Sequence, residues 1–193
     1  MEKVLVVSSN KTFSESLLAF LREYFSYELR FEESAYQALN VLESDTGIDL
    51  VVVNSPLMDE TGIELAEKIA ENFTANCILL IKAEAAEKLS ERMEKAGVIP
   101  VGKPFSKTVL YQIIRTVDIA AMRAMSLYLK NKKLEEKLSD IKTIDKAKFM
   151  LMEYKSMTEE QAHQYLEKYA MNKRKKKNIA ALDIIDKLSE QYL

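Results

Sequence analysis

A doubly wound α/β fold, (βα)5 with a parallel sheet, followed by a coiled-coil helix and a small three-helix unit, is the architecture predicted for this chain of 193 residues. Three observations carry the prediction. Short aliphatic runs alternate with helical periods through the N-terminal half, the period then changes to a heptad, and neither Gly nor Pro occurs from Phe105 to Leu193.

The strands come first. VLVV (Val4–Val7), DLVVV (Asp49–Val53), CILLI (Cys77–Ile81) and GVIPV (Gly97–Val101) are short aliphatic or β-branched runs without polar alternation, as in strands buried on both faces. A fifth strand is placed at YELRF, Tyr27–Phe31. Between them, FSESLLAFLREYF brings Phe13, Leu17, Leu18, Leu21 and Phe25 together at helical spacing, and SAYQALNVLE does the same for Ala35, Leu39 and Leu42. Strands alternating with helices predict a parallel sheet covered on both sides, with its functional crevice at the carboxyl ends of the strands.

The linker is predicted to be helical and self-associating. Ile113, Val117, Ala120, Ala124, Leu127, Asn131, Leu134, Leu138 and Ile141 are spaced alternately four and three apart, a heptad seam over residues 113–145. Leu127, Leu134 and Ile141 fall at d positions and Asn131 at an a position. A buried Asn at a pairs best with its own copy, which favours a parallel, in-register homodimer through Val117, Ala124, Leu127, Asn131, Leu134, Leu138 and Ile141. Lys130 at g faces Glu135 at e of a partner helix, whereas Lys137 and Lys142 repel.

Beyond the seam the pattern divides again. Ile144, Ala147 and Leu151 continue the first helix to about Tyr154. Thr158 with Gln161 three residues on is a capping-box start for a second, whose apolar face is Ala162, Tyr165, Leu166, Tyr169 and Ala170. The third is expected to begin near Asn172 and to carry Ala181, Ile184, Ile185, Leu188 and Tyr192.

Charge is distributed unevenly. Residues 1–125 carry 13 Lys and Arg against 19 Asp and Glu, a net −6, while residues 126–193 carry 15 against 11, a net +4. The tail is therefore where an anionic partner is expected. Lys173, Arg174, Lys175, Lys176 and Lys177 are consecutive. Read as the start of the third helix, such a cluster repels itself and opposes the helix dipole, which makes an anion the better explanation for it than a solvated face.

Several functions are disfavoured. No run of about 18 apolar residues marks a membrane span, and MEKVLVVSS enters a strand directly, so a cytoplasmic protein is expected. The single cysteine, Cys77, reads as a buried thiol. A lone histidine, His163, excludes a Ser/His/Asp arrangement except around itself and lacks metal-spaced partners. Four glycines leave little for a phosphate-cradling loop. Neither enzymatic activity nor a metal or other cofactor is expected.

Across residues 1–118 the strand order, the Asn54–Gly62–Glu64 spacing, the IKAEA segment and the GKPF segment (Gly102–Phe105) resemble the receiver domains of two-component response regulators, a flavodoxin-like fold. Receivers of this family use an acidic pair after the first strand to hold Mg²⁺, an Asp after the third as phosphoacceptor, a Ser or Thr after the fourth and a Lys after the fifth. Here those positions read Ser8 and Ser9, Asn54, Lys82 and Lys103, so only the lysine matches. Hydroxyls and an amide supply no charge to offset Mg²⁺ dehydration, and an amide is not the nucleophile a carboxylate is. Pro100 also stands where active receivers often carry an aromatic. The expectation is a degenerate receiver without phosphoacceptor. Its crevice would be either a retained scaffold in which Ser8, Ser9 and Asn54 bond one another, or a site at which Lys82 and Lys103 hold a different anion; an unidentified protein ligand is a further candidate partner there.

The tail, residues 126–193, with its AK–LM stretch, MTEEQAHQYLEKYAM, basic turn and NIAALDII, resembles the ANTAR domain of transcription antitermination regulators. That resemblance implies binding to paired stem-loops in nascent leader RNA, preventing a terminator hairpin. Tyr165, Tyr169 and His163 are nearby candidates to contact bases, although both tyrosines are expected to pack the core. Two other readings share these features: a DNA-binding regulator and a module that sequesters a protein partner.

Overall fold

The computed structural model describes residues 1–192, and the Tyr192 side chain, expected on the apolar face of the last helix, lies outside the described residues' side chains. The chain divides into two compact units, Met1–Arg123 and Ala124–Leu193.

In the first unit the elements run β1 (Lys3–Ser8), α1 (Lys11–Tyr24), β2 (Glu28–Glu32), α2 (Ala35–Ser44), β3 (Leu50–Asn54), α3 (Ile63–Asn72), β4 (Asn76–Lys82), α4 (Ala83–Ala96) and β5 (Val98–Lys103), followed by α5 (Lys107–Lys155). The five strands form one sheet in the order β2-β1-β3-β4-β5 with every neighbouring pair parallel. Each predicted strand lies within two residues of an observed one.

The aliphatic runs work in both directions because successive strand residues point to opposite faces. Leu5, Val7, Val51, Val53, Cys77 and Leu79 pack with Ala38, Leu42, Leu65, Ile69 and Met93, so α2, α3 and α4 close one face. Val4, Val6, Leu50, Val52, Ile78 and Leu80 pack with Leu17, Leu21, Leu110, Ile114 and Val117, so α1 and the start of α5 close the other. Cys77 is buried as expected, and desolvation pushes its thiol up to about 12, which leaves it an inert core group. Gly62 precedes α3 with φ at +77°, and a Cβ there would sit 3.0 Å from Val53 Cγ1, so both backbone and space require glycine at this turn.

Val117 corrects one expectation. It is only 4% exposed and part of the core against the sheet, so it is not free to face a second helix. The open part of the heptad run begins at Ala120. From there Leu127, Leu134, Leu138 and Ile141 are each more than half exposed on α5, a single helix of 49 residues.

The second unit is built from the C-terminal part of α5, α6 (Glu159–Lys173) and α7 (Lys177–Tyr192). Its core is Ala147, Met150 and Leu151 from α5, Ala162, Leu166 and Ala170 from α6, and Ala180, Ala181, Ile184, Ile185 and Leu188 from α7. Alanine recurs where the helices meet, because a small side chain lets backbones approach. Thr158 caps α6 as the sequence predicts: its side chain accepts from the Gln161 backbone N–H, and Gln161 reaches back to the Thr158 N–H at 2.9 Å.

The third helix does not begin near Asn172. Asn172 and Lys173 belong to α6, which stops because Arg174 adopts the left-handed conformation at φ 51°. The Arg174 N–H then bonds Met171 O at 3.1 Å and the Lys175 N–H bonds Ala170 O at 3.0 Å, the paired closure of a Schellman motif. Glycine is the usual occupant of this position, and its absence hid the break.

Candidate nucleic-acid interface

Two places in the chain were singled out by sequence, and the structure treats them differently. The first is the crevice of the sheet. Ser8, Asn54, Lys82 and Lys103 are each the last residue of β1, β3, β4 and β5. Register brings them together, with Ser8 paired to Asn54 and Lys82 to Lys103.

Three of them form a closed network. The Lys103 ammonium donates to Asn54 Oδ1 at 2.9 Å and to the Ser55 carbonyl. An ammonium can only donate, so the amide oxygen of Asn54 must face it. The Asn54 NH₂ is thereby turned to Ser8 Oγ, 2.9 Å away, and the Ser8 hydroxyl lies 3.4 Å from Asn10 O. Ser8 and Asn54 are buried. Ser9 does not join them: it is exposed and its hydroxyl donates to Pro56 O at 2.9 Å, because the residue after β1 points away from the strand end. Lys82 is also exposed. Burial, and after it the Lys82 ammonium, hold the half-buried Lys103 below its ordinary value. Among the described residues no group of three His, Cys, Asp or Glu could hold a metal ion.

The second place is the basic run. It lies across the turn between α6 and α7, not at the start of one helix: Lys173 ends α6, Arg174 is the left-handed residue, Lys175 and Lys176 follow, and Lys177 opens α7. The dipole argument therefore reverses for Lys173 and Arg174, which sit favourably at a helix C-terminus. Two of the five cations are already satisfied within the unit, Lys175 by Asp183 at 2.6 Å and Lys177 by Glu167 at 2.5 Å. Glu167 also takes the imidazole of His163 at 3.3 Å, and Lys177 chiefly holds the Glu167 carboxyl below the usual range. Among the described residues, Lys173, Arg174 and Lys176 have no such partner.

Sequence spacing missed what α5 and α7 bring beside this run. Tyr165 and Tyr169 are half-buried on α6 with ring centroids 6.4 Å apart. Lys155 of α5 lies 5.7 Å over the Tyr165 ring, and Lys187 of α7 lies 5.0 Å over Tyr169 while donating to its hydroxyl at 2.9 Å. Both tyrosines pack against the core as expected, yet keep a polar edge. Only the Tyr165–Tyr169–Lys173 spacing, four residues each, was a signal in one helix.

Comparison with known proteins agrees with this division. Residues 132–185 match the ANTAR domain family. The sheet-bearing part shares its fold with a CheY-like response regulator receiver domain from Methanospirillum hungatei, at TM-score 0.55 and 21% identity over 64% of this chain and 98% of that one. A two-component response regulator from Clostridium difficile aligns at TM-score 0.54 and 20% identity over 61% and 95%. The chain therefore carries a segment that matches the ANTAR domain family, preceded by a unit with the fold of receiver domains. Along most of its length it is similar to the transcriptional regulatory protein PdtaR of Mycobacterium tuberculosis, 27% identical over 176 residues, 89% of this chain and 83% of the relative.

The crevice has a measurable electrostatic signature. Because Lys103 binds its proton more weakly folded than unfolded, the folded state gains stability as pH rises toward the unperturbed lysine value of 10.5. Replacing the exposed Lys82 by Gln should move the Lys103 titration upward, followed by NMR of the side-chain ammonium; no upward movement would show that Lys82 does not act on it.

Proposed function

We propose that the chain is a cytoplasmic, dimeric antitermination regulator that binds paired stem-loops in leader RNA through its ANTAR domain, without control by an aspartyl phosphate. The observation that carries it is the position of Lys173, Arg174 and Lys176, unpaired among the described residues, at the α6–α7 turn within the 132–185 ANTAR match. Paired stem-loops match a dimer, since two tails joined by one coil engage the second loop at high effective concentration.

Arg174 supports a functional turn. Holding a non-glycine residue left-handed costs about 1–2 kcal/mol. Conformations of that kind concentrate where a side chain is wanted at a particular place. Here a positive charge stands where glycine would fold more easily.

The seam supports dimerisation. Leu127, Leu134, Leu138 and Ile141 are exposed along one stripe of α5, with Asn131 at the single polar position. The crevice supports phosphate independence: Asn54 is not a nucleophile, and its amide is engaged on both sides. No helix among the described residues is long and apolar enough to cross a membrane. The role is regulatory and not enzymatic under this reading.

A leader RNA with two stem-loops should be retarded in gel shifts in preference to duplex DNA of equal charge. Arg174→Gly and Lys176→Ala should each weaken binding and lower the salt slope by about 1. Lys175→Ala and Lys177→Ala should do less, since both cations already have acidic partners. Arg174→Gly should keep or raise the melting temperature, separating lost charge from lost fold. Retardation of the DNA instead would favour a DNA-binding regulator, and of neither a protein-sequestering one.

Sedimentation at micromolar concentration should give a dimer, and Leu134→Asp a monomer; a monomeric parent protein would sink the coiled-coil assignment. Incubation with acetyl phosphate and Mg²⁺ should leave the intact mass unchanged. A covalent phosphoryl adduct on the N-terminal unit would overturn phosphate independence.

A further inference from the structure

Beside the basic turn, α6 and α7 border an open, polar surface cleft of about 340 Å³. Tyr169 and Lys173 line it from α6, and Asp183, Asp186, Lys187 and Glu190 from α7. Asp183 is engaged by Lys175, and Lys187 by the Tyr169 hydroxyl. Among the described residues, Lys173, Asp186 and Glu190 have no hydrogen-bonded or ionic partner.

The unpaired acids are informative. Asp186 and Glu190 are four residues apart on α7, so their charges repel along one helix face, and among the described residues neither is paired directly with a lysine of the cleft. A bare phosphate does not fit such a cleft, because carboxylates repel it as strongly as the lysines attract it. A nucleotide fits both signs, with its phosphate toward Lys173 and Lys187 and its base edge toward the acids. Carboxylates only accept hydrogen bonds, so the base must offer a donor edge. Adenine, cytosine and guanine each carry an exocyclic amino group. Uracil presents a single N–H flanked by two carbonyl oxygens, which face the acids unfavourably. Tyr169 supplies the flat wall against which unpaired bases pack in sequence-specific RNA recognition.

We infer that this cleft seats one unpaired, amino-bearing base of an RNA loop, with Asp186 and Glu190 setting base preference and Lys173 and Lys187 holding the adjoining phosphate. The inference rests on the RNA-binding reading and specifies which side chains read sequence. Lys187 now lies over the Tyr169 ring, and its long flexible stem lets the ammonium move to an incoming phosphate and uncover the ring.

Selection by the full chain from a pool of synthetic RNA hairpins with randomised loops tests it. The parent protein should deplete uracil at one loop position by roughly tenfold, the discrimination expected of a good side-chain contact to a base. Asp186→Asn and Glu190→Gln, both exposed and free of structural partners, should relax that preference with little change in salt slope. Lys176→Ala should keep the preference at reduced affinity. Retention of the preference in both carboxylate variants, or its absence from the parent, would overturn the inference while leaving RNA binding intact. Failure of the parent to enrich any RNA would overturn both.

Discussion

One helix has to satisfy three surroundings with a single strip of apolar residues, and much of the structure follows from how α5 does it. Leu110, Ile114 and Val117 complete a core against the sheet, and Ala147, Met150 and Leu151 complete another with α6 and α7. Between them Leu127, Leu134, Leu138 and Ile141 are each more than half exposed. Full burial of a leucine or isoleucine side chain is worth about 1.5–3 kcal/mol, so an unoccupied stripe of this length strongly favours association. In the proposed dimer, a heptad with one asparagine would favour a parallel copy of the same helix over an unrelated surface. The length of α5 is intelligible for the same reason: with no Gly or Pro after Pro104, nothing in the sequence interrupts it before Ser156 turns left-handed.

The sheet-bearing unit was legible because its signals are local and redundant. Uninterrupted aliphatic runs such as Val51–Val53 admit no exposed strand, and the residue ending each run was the one to name at the crevice. What sequence could not supply was the bonding among those residues. Ser8 and Asn54 are 46 positions apart, and Lys103 a further 49. Their register decides that one lysine orients the amide and the amide engages Ser8. Ser9 is grouped with Ser8 in sequence because the two stand where receivers carry an acidic pair. A single step past the strand end sends it to Pro56 instead.

In the tail the balance is reversed. The capping box was readable because Thr158 and Gln161 act over three residues, whereas the end of α6 depends on a backbone conformation that no side chain announces. A glycine at Arg174 would have marked the turn. With arginine there, the basic run reads in sequence as one continuous helix start, although the helix dipole favours Lys173 and Arg174 at the end of α6. The proposal of an anionic partner rests on different grounds: among the described residues the opposing acids Asp183 and Glu167 pair with Lys175 and Lys177 and leave the other three cations of the run unpaired.

If the crevice accepts no phosphoryl group, the amount of active species must be set elsewhere, and a dimer supplies a physical means. In the proposed dimer, engagement of two stem-loops by two joined tails would depend on the product of monomer concentrations until the coil is saturated, so output would respond steeply to how much protein is present. A partner that covers the exposed stripe of α5 would then lower output without touching the α6–α7 turn. Phosphorylation in an ordinary receiver shifts the balance between two conformations of one site. Under the proposed reading, the Ser8–Asn54–Lys103 network holds that site in one arrangement, which leaves association as the variable for regulation.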